Sequence, residues 1–135
     1  MGTTALRKQS ATVSLQAQIE RIRAGLSFRA VQNLQKAFDF PLETVAAVLG
    51  ISRATLHRRK TQGRIDRREA ERVVRYQRLL ERAREVFGHP DAARKWLKHP
   101  QQGLGGAVPI DFAKTELGAR EVENLLGRIE YGVYS

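Results

Sequence analysis

The 135-residue sequence contains no cysteine, which excludes disulfide bonds and thiolate metal sites. Acidic residues are scarce, because 14 Asp and Glu stand against 24 Lys and Arg and leave a net charge of +10. No stretch approaches the roughly 20 apolar residues of a membrane span. The basic balance therefore indicates either a polyanionic partner or simply a soluble basic surface.

The first residues lack any pattern that would predict structure. Residues 1–12 contain no apolar run of signal-peptide length, so we expect a cytosolic, cytoplasmic protein. Residues 1–13 show no periodicity and are predicted to be a flexible tail.

Net positive charge is concentrated in the front half of the chain. Residues 1–65 hold 11 Lys and Arg with 3 Asp and Glu, whereas residues 66–135 hold 13 and 11.

Helical periodicity dominates the rest of the chain. Apolar residues recur at spacings of three and four, and no segment shows the alternation of a strand. The fold class is therefore predicted to be all-α, with about eight helices bounded by capping residues, prolines and glycines. The predicted helices cover residues 15–24, 28–38, 41–49, 52–60, 67–87, 90–97, 109–114 and 119–131. Gly118 is predicted to separate the last two.

The segment Leu42–Lys60 has the pattern of a helix-turn-helix motif. Gly50 provides the turn, and Ala46 is small where the two helices must cross. Four apolar residues are spaced to face inward, namely Val45, Leu49, Ile51 and Leu56. A basic second helix suits the DNA major groove. The alternative is a solvated basic helix in an ordinary bundle.

The second helix provides the candidate base-reading residues. Ser52 is predicted to cap it, and its first amides can bind a phosphate. Arg53 and Arg58 can each donate two hydrogen bonds to guanine, whereas Ala54 can contact a thymine methyl group. His57 shares a face with Arg53.

Three further cations are predicted to clamp DNA phosphates: Arg59, Lys60 and Arg64. Arg59 occupies a position that is usually apolar in such motifs, three residues after Leu56. This departure predicts either an altered docking angle for the helix or early fraying of its end.

The longest predicted helix carries an apolar seam with spacings of three and four. Its members are Val73, Tyr76, Leu80, Ala83 and Phe87. The seam can pack inside the monomer or against a second copy. A domain boundary is expected either near Gly63–Asp66 or within this helix. We take residues 14–65 as a DNA-binding domain and residues 66–135 as a helical domain with a C-terminal tail.

Other motifs are weak candidates for chemistry. His89 and His99 lack a third metal ligand. The glycine-rich stretch 103–106 follows no strand, so a tight turn explains it better than a phosphate cradle. Acidic pairs such as Glu121 with Glu123 are explained by helix surfaces. We predict no enzyme, no metal and no cofactor.

The back half resembles a known family in several short motifs. These are residues 83–88 (AREVFG), 93–97 (ARKWL), 104–106 with 109–112 (LGG, PIDF), 115–118 (TELG) and 122–132. With the helix-turn-helix, the chain is similar over about residues 15–135 to Xre-type antitoxins of RES–Xre toxin–antitoxin pairs. The resemblance implies a Cro/repressor-like bundle followed by a small toxin-binding domain.

That resemblance also implies a function. Such an antitoxin binds and silences a RES-domain toxin, an enzyme that consumes NAD, and represses its own operon. The family's C-terminal segment lies at the mouth of the toxin active site. The corresponding residues here are Arg128, Tyr131, Gly132, Val133, Tyr134 and Ser135. Their tyrosines suit an interface anchor, although they could instead cap the monomer's own core.

The expected partners are the RES-domain toxin and operator DNA, with no membrane. A helix-turn-helix protein of this type is expected to be a homodimer, here within a larger toxin–antitoxin hetero-oligomer. Two alternatives remain. One is a free-standing repressor whose back half only dimerises or senses an effector. The other is a small enzyme that uses the loop of residues 103–106.

Overall fold

The structure is a computed structural model that describes residues 15–20, 22 and 25–132. Residues 15–20 and 22 are helical, in agreement with the first predicted helix, and Gly25 follows in the left-handed conformation with φ +79°. The predicted tail of residues 1–13 and the following Ser14 lie outside the described residues.

Three helices form the front of the molecule. Helix α1 spans Phe28–Phe38, α2 spans Leu42–Leu49 and α3 spans Arg53–Gln62. Ser27 caps α1 by accepting a hydrogen bond from the Arg29 amide, as its short hydroxyl predicts. Gly50 ends α2 with φ +70°. The sequence therefore predicted these helices closely, because each boundary carries a local signal.

A two-residue strand pair joins the two ends of this front region. Strand β1 (Leu26–Ser27) pairs antiparallel with β2 (Arg64–Ile65). The sequence showed no alternation here, because two residues are too few to display a period. The pair brings the segment after α3 back beside the start of α1, and the long helix begins directly after it.

Helix α4 spans Arg67–Phe87, as predicted. Asp66 and Glu69 form a capping box, in which each side chain accepts a hydrogen bond from the other residue's backbone amide. Gly88 ends the helix.

The chain then continues through α5 (Pro90–Leu97), a 3₁₀ turn (Gln102–Leu104), α6 (Pro109–Phe112) and α7 (Glu116–Glu130). The prediction that Gly118 breaks the chain between two helices is wrong. Thr115 caps α7 by accepting a hydrogen bond from the Gly118 amide, so Gly118 lies in the first turn of the helix. A built Cβ on Gly118 would lie 1.7 Å from the Phe112 carbonyl oxygen. Glycine is required here for close approach of two backbones.

Helix α4 is the centre of the fold. It contacts α1 and α2 of the front region as well as α5 and α7 of the back half. Val73, Tyr76 and Ala83 of the predicted seam are fully buried within the single chain, so the seam packs inside the monomer. Burial raises the pKa of Tyr76 to about 12, and its hydroxyl donates a 2.6 Å hydrogen bond to the Ile110 carbonyl.

One apolar cluster spans both predicted halves, from Phe28 of α1 to Leu126 of α7. The front and back halves therefore share a core through α4. None of the helices in the described ranges is long and apolar enough to cross a membrane.

Candidate DNA-binding and partner-binding sites

The start of α3 has the geometry of a DNA-reading helix. The Ser52 hydroxyl accepts a 3.1 Å hydrogen bond from the Thr55 amide and so caps the helix as predicted. Leu56 is 2% exposed and anchors α3 to the core. The outer side of α3 therefore remains available to a ligand.

Most of the predicted DNA-contacting residues lie on this outer side. The exposed ones are Ser52, Arg53, Ala54, His57, Arg58, Lys60 and, in β2, Arg64. The Arg53 guanidinium lies 3.5 Å from the carboxylate of Glu43 in the first turn of α2. Sequence reasoning missed Glu43.

An apolar groove runs beside the same helix. It encloses about 470 Å³ between α1, α2 and α3, and Phe28, Val31 and Leu56 contribute to its wall. Ala54 and His57 lie at the α3 side of the groove. The surface next to Ala54 is therefore partly apolar, as contact with a thymine methyl group requires.

The structure argues against the predicted phosphate-clamp role of Arg59. Its guanidinium donates 2.8 and 3.1 Å hydrogen bonds to the two carboxylate oxygens of Glu69 and a 3.2 Å bond to Asp66. These bonds leave little donor capacity for a phosphate. The helix also continues to Gln62, so the prediction of early fraying is wrong. In place of the usual apolar contact, an ion pair holds the end of α3 against the start of α4.

Burial makes either partner of this ion pair costly to remove, because the other charge would be left unpaired. The Glu69 side chain is only 4% exposed, whereas that of Arg59 is 21% exposed. Burial alone raises the pKa of Asp66. The hydrogen bond from the Glu69 backbone amide and the charge of Arg59 outweigh this effect, so the pKa of Asp66 lies below its ordinary value. The hydrogen bond to Glu69 raises the pKa of Arg59. Asp66 and Arg59 are therefore both charged at neutral pH.

An arginine ladder runs along one side of α4. Its members, Arg72, Arg75, Arg78 and Arg82, recur every three or four residues and so share a face. At the front end, Arg72 Nη1 donates a 2.6 Å hydrogen bond to the Leu49 carbonyl in the helix-turn-helix turn. Farther along, the ladder holds the whole length of α7.

The acidic partners on α7 recur every seven residues. Glu116 pairs with Arg75 at 3.1 Å, Glu123 with Arg78 at 2.7 Å and Glu130 with Arg82 at 2.8 Å. Sequence reasoning missed the ladder, although this seven-residue spacing opposite a row of arginines was the available signal.

The ladder also shifts the ionisation of these glutamates. Burial raises the pKa of Glu116, but the hydrogen bonds and charges of Arg78 and Arg75 have a larger effect in the opposite direction. The pKa of Glu116 therefore lies below its ordinary value. Hydrogen bonding to Arg82 lowers the pKa of Glu130.

The predicted partner-binding tail begins where α7 ends. Arg128, Tyr131 and Gly132 are exposed, and Gly132 adopts φ +69°. Tyr131 is 78% exposed and therefore does not cap the monomer's core. Val133, Tyr134 and Ser135 lie outside the described residues.

The sites set aside on sequence have structural explanations. The loop of residues 103–106 is closed by a bridge between Gln101 and Ala107, which makes it a tight turn. His89 caps α5 by accepting a hydrogen bond from the Asp91 amide. Within the described ranges, no group of three or more histidine or acidic side chains could hold a metal ion.

The two halves of the chain match two family profiles. Residues 17–78 match the antitoxin Xre-like helix-turn-helix domain, and residues 82–132 match the antitoxin Xre/MbcA/ParS C-terminal toxin-binding domain. A helix-turn-helix domain followed by a toxin-binding domain defines the class of two-domain antitoxins.

Curated relatives agree with this class over most of the chain. The protein named Antitoxin Xre from Yersinia enterocolitica is 34% identical over 119 residues, covering 87% of this chain and 80% of the relative. Antitoxin Xre from Photorhabdus laumondii is 34% identical over 116 residues, covering 84% and 78%. The chain belongs to the Xre family of antitoxins. Antitoxin families of this kind are non-enzymatic, so the enzyme alternative is set aside.

Proposed function

We propose that this antitoxin neutralises a RES-domain toxin that consumes NAD. In this proposal the segment Arg128–Ser135 covers the toxin active site, while α3 binds operator DNA and represses the antitoxin's own operon. The observation that carries the proposal is the exposed Tyr131 at the end of α7, at the opposite end of α4 from the basic helix α3.

The exposed face of α7 supports the toxin-binding half of the proposal. Leu117 is 75% exposed at one end and Tyr131 is 78% exposed at the other. Asn124 and Arg128 lie between them at helical spacing on the same face. Large exposed apolar side chains beside polar ones are typical of interface anchors. This face continues directly into the tail.

The separation of the two sites allows one chain to hold both partners. The Arg59–Glu69 pair lies beside the front end of α4, whereas the Arg82–Glu130 pair lies 13 residues farther along α4. At 1.5 Å per residue the distance along the helix is roughly 20 Å. Toxin bound at the tail therefore need not cover α3.

The DNA half of the proposal includes an oligomeric state. A homodimer would present two copies of α3 to half-sites about one helical turn apart, in a near-palindromic operator. We place this dimer within a cytoplasmic toxin–antitoxin hetero-oligomer. Since the apolar seam of α4 is buried in the monomer core, the dimer must use another surface.

Co-expression with the cognate RES-domain toxin that this proposal requires tests the proposal. The full chain should restore growth and cellular NAD and should co-purify with the toxin. Deletion of Tyr131–Ser135 should abolish both effects while leaving DNA binding intact. Equal protection by the truncated chain would exclude the tail as the neutralising segment. If the two proteins never associate, the free-standing repressor becomes the better explanation.

A further inference from the structure

Glu43 is an unusual residue on the candidate DNA surface. It is the only acidic residue between positions 40 and 65, a stretch that contains five Lys and Arg. Its side chain is 64% exposed, and its carboxylate lies 3.5 Å from the guanidinium of Arg53, the first residue of α3. A negative charge at this position repels DNA phosphates and so weakens binding to DNA of any sequence.

Stability does not account for the position of this carboxylate. An ion pair between two side chains about two-thirds exposed contributes little to the stability of a fold. An acid in the first turn of α2 does complement the helix dipole. That effect does not require the carboxylate to face the residue best placed to read a base.

The chemistry of base pairs gives the carboxylate a role. Arginine donates to O6 and N7 of guanine, and a carboxylate accepts from the N4 amino group of cytosine. An arginine with a carboxylate beside it therefore presents donors and an acceptor together. That pattern complements a guanine with a cytosine next to it in the major groove.

We infer that Glu43 is a specificity-determining residue, which orients Arg53 toward a guanine and accepts a hydrogen bond from a cytosine beside that guanine. The inference rests on the proposed binding of operator DNA. The same carboxylate lowers affinity for unrelated DNA, so one residue contributes to discrimination in two ways.

A selection experiment with the full-length protein tests this role. Wild-type protein first enriches duplexes from a randomised pool, and the selected sequence and a random duplex then serve as probes. Glu43→Gln should lower the preference for cytosine at one position about tenfold, because an amide is a weaker acceptor than a carboxylate and its donor and acceptor together match adenine. The same variant should bind the random duplex about two- to threefold more tightly, because a repulsive charge is removed.

A matched control separates specificity from general charge and folding effects. Glu85→Gln removes a similarly exposed carboxylate that pairs with Arg82 at the far end of α4. It should leave both affinities unchanged. A merely structural role for Glu43 predicts that operator and random affinities fall together, with a lower melting temperature. Opposite changes in the two affinities are expected only if Glu43 contributes to specificity.

The possible failures are distinguishable. If the wild-type protein enriches no sequence from the pool, the operator-binding half of the proposed function is wrong. If wild type and Glu43→Gln enrich the same motif with the same cytosine preference, only the role of Glu43 is wrong.

Discussion

Arg72 Nη1 donates a 2.6 Å hydrogen bond to the carbonyl oxygen of Leu49, the last residue of the first helix of the helix-turn-helix. Helix C-terminal carbonyls lack partners within their own helix, and a cation is well suited to bind them. The long helix thereby holds the turn in place. The next rungs of the arginine ladder hold α7, so a single helix face connects the DNA-reading motif to the toxin-binding domain.

Gly50→Ala should disturb this junction strongly. A Cβ at this position would lie 1.8 Å from Arg72 Nη1, and the φ of +70° is itself strained for alanine. Left-handed strain and the displaced charged hydrogen bond together should lower the free energy of unfolding by about 2–4 kcal/mol. Chemical denaturation measures this loss.

Gly63→Ala is the matched control for Gly50→Ala. Gly63 has a similar φ of +76° at the end of α3, but nothing lies within 4 Å of its built Cβ. Its replacement should cost only the backbone strain, about 1 kcal/mol. Equal losses in the two variants would show that contact with Arg72 does not explain the glycine at position 50.

The boundaries of α1 to α4 were predictable because their signals are local. Ser27, Ser52 and Asp66 cap helices through hydrogen bonds to amides two or three residues away, and such spacing is visible in a sequence. Gly88 likewise marks the end of α4, so both ends of this helix carry a local signal. The family resemblance added the class of partner, which periodicity does not supply.

The remaining features depend on contacts between distant residues. A glycine at position 118 predicts a helix break in the sequence, yet Gly118 lies inside α7. Glycine is present there because the Phe112 carbonyl occupies the space that a side chain would need. The sequence predicts a free cation at Arg59, because its partner Glu69 lies ten residues later, beyond the turn between α3 and α4. Glu43 and Arg53 likewise come together only across the helix-turn-helix turn.

Arg59→Ala should lower the stability of the fold and have little direct effect on DNA binding. The variant leaves the carboxylate of Glu69, whose side chain is 4% exposed, without its cation. This unpaired buried charge should lower the free energy of unfolding by about 2–3 kcal/mol. The loss is smaller than for a fully buried pair, because Arg59 is partly exposed. Lys60→Ala provides the contrast, since it should keep wild-type stability but reduce the salt dependence of DNA binding by about one charge. The proposed ion-pair role is wrong if Arg59→Ala unfolds like wild type.

Acid should weaken the attachment of α7 to α4. Bonds to Arg82 lower the pKa of Glu130 below its ordinary value of 4.5, so the folded state binds its proton less readily than the unfolded state. Its stabilising contribution is therefore complete above about pH 4.5 and is lost as the pH falls through the lower folded-state pKa. Thermal unfolding between pH 7 and pH 3 should show a shallower acid dependence for Glu130→Gln than for wild type. Glu121→Gln, on the exposed side of α7, should retain the wild-type slope.

Gly118→Ala and Gly127→Ala should change stability in opposite directions, although both substitutions lie in α7. At position 118 the new Cβ would meet the Phe112 carbonyl oxygen at 1.7 Å, and a backbone atom cannot rotate away. We expect a loss of about 3 kcal/mol or more in the free energy of unfolding. At position 127 the nearest atom, Arg82 Nη2, lies at an ordinary 3.9 Å. Alanine there should stabilise the helix by about 0.5–1 kcal/mol. Toxin co-purification should fall only for Gly118→Ala. A stable, toxin-binding Gly118→Ala protein would contradict the close approach of α6 and α7.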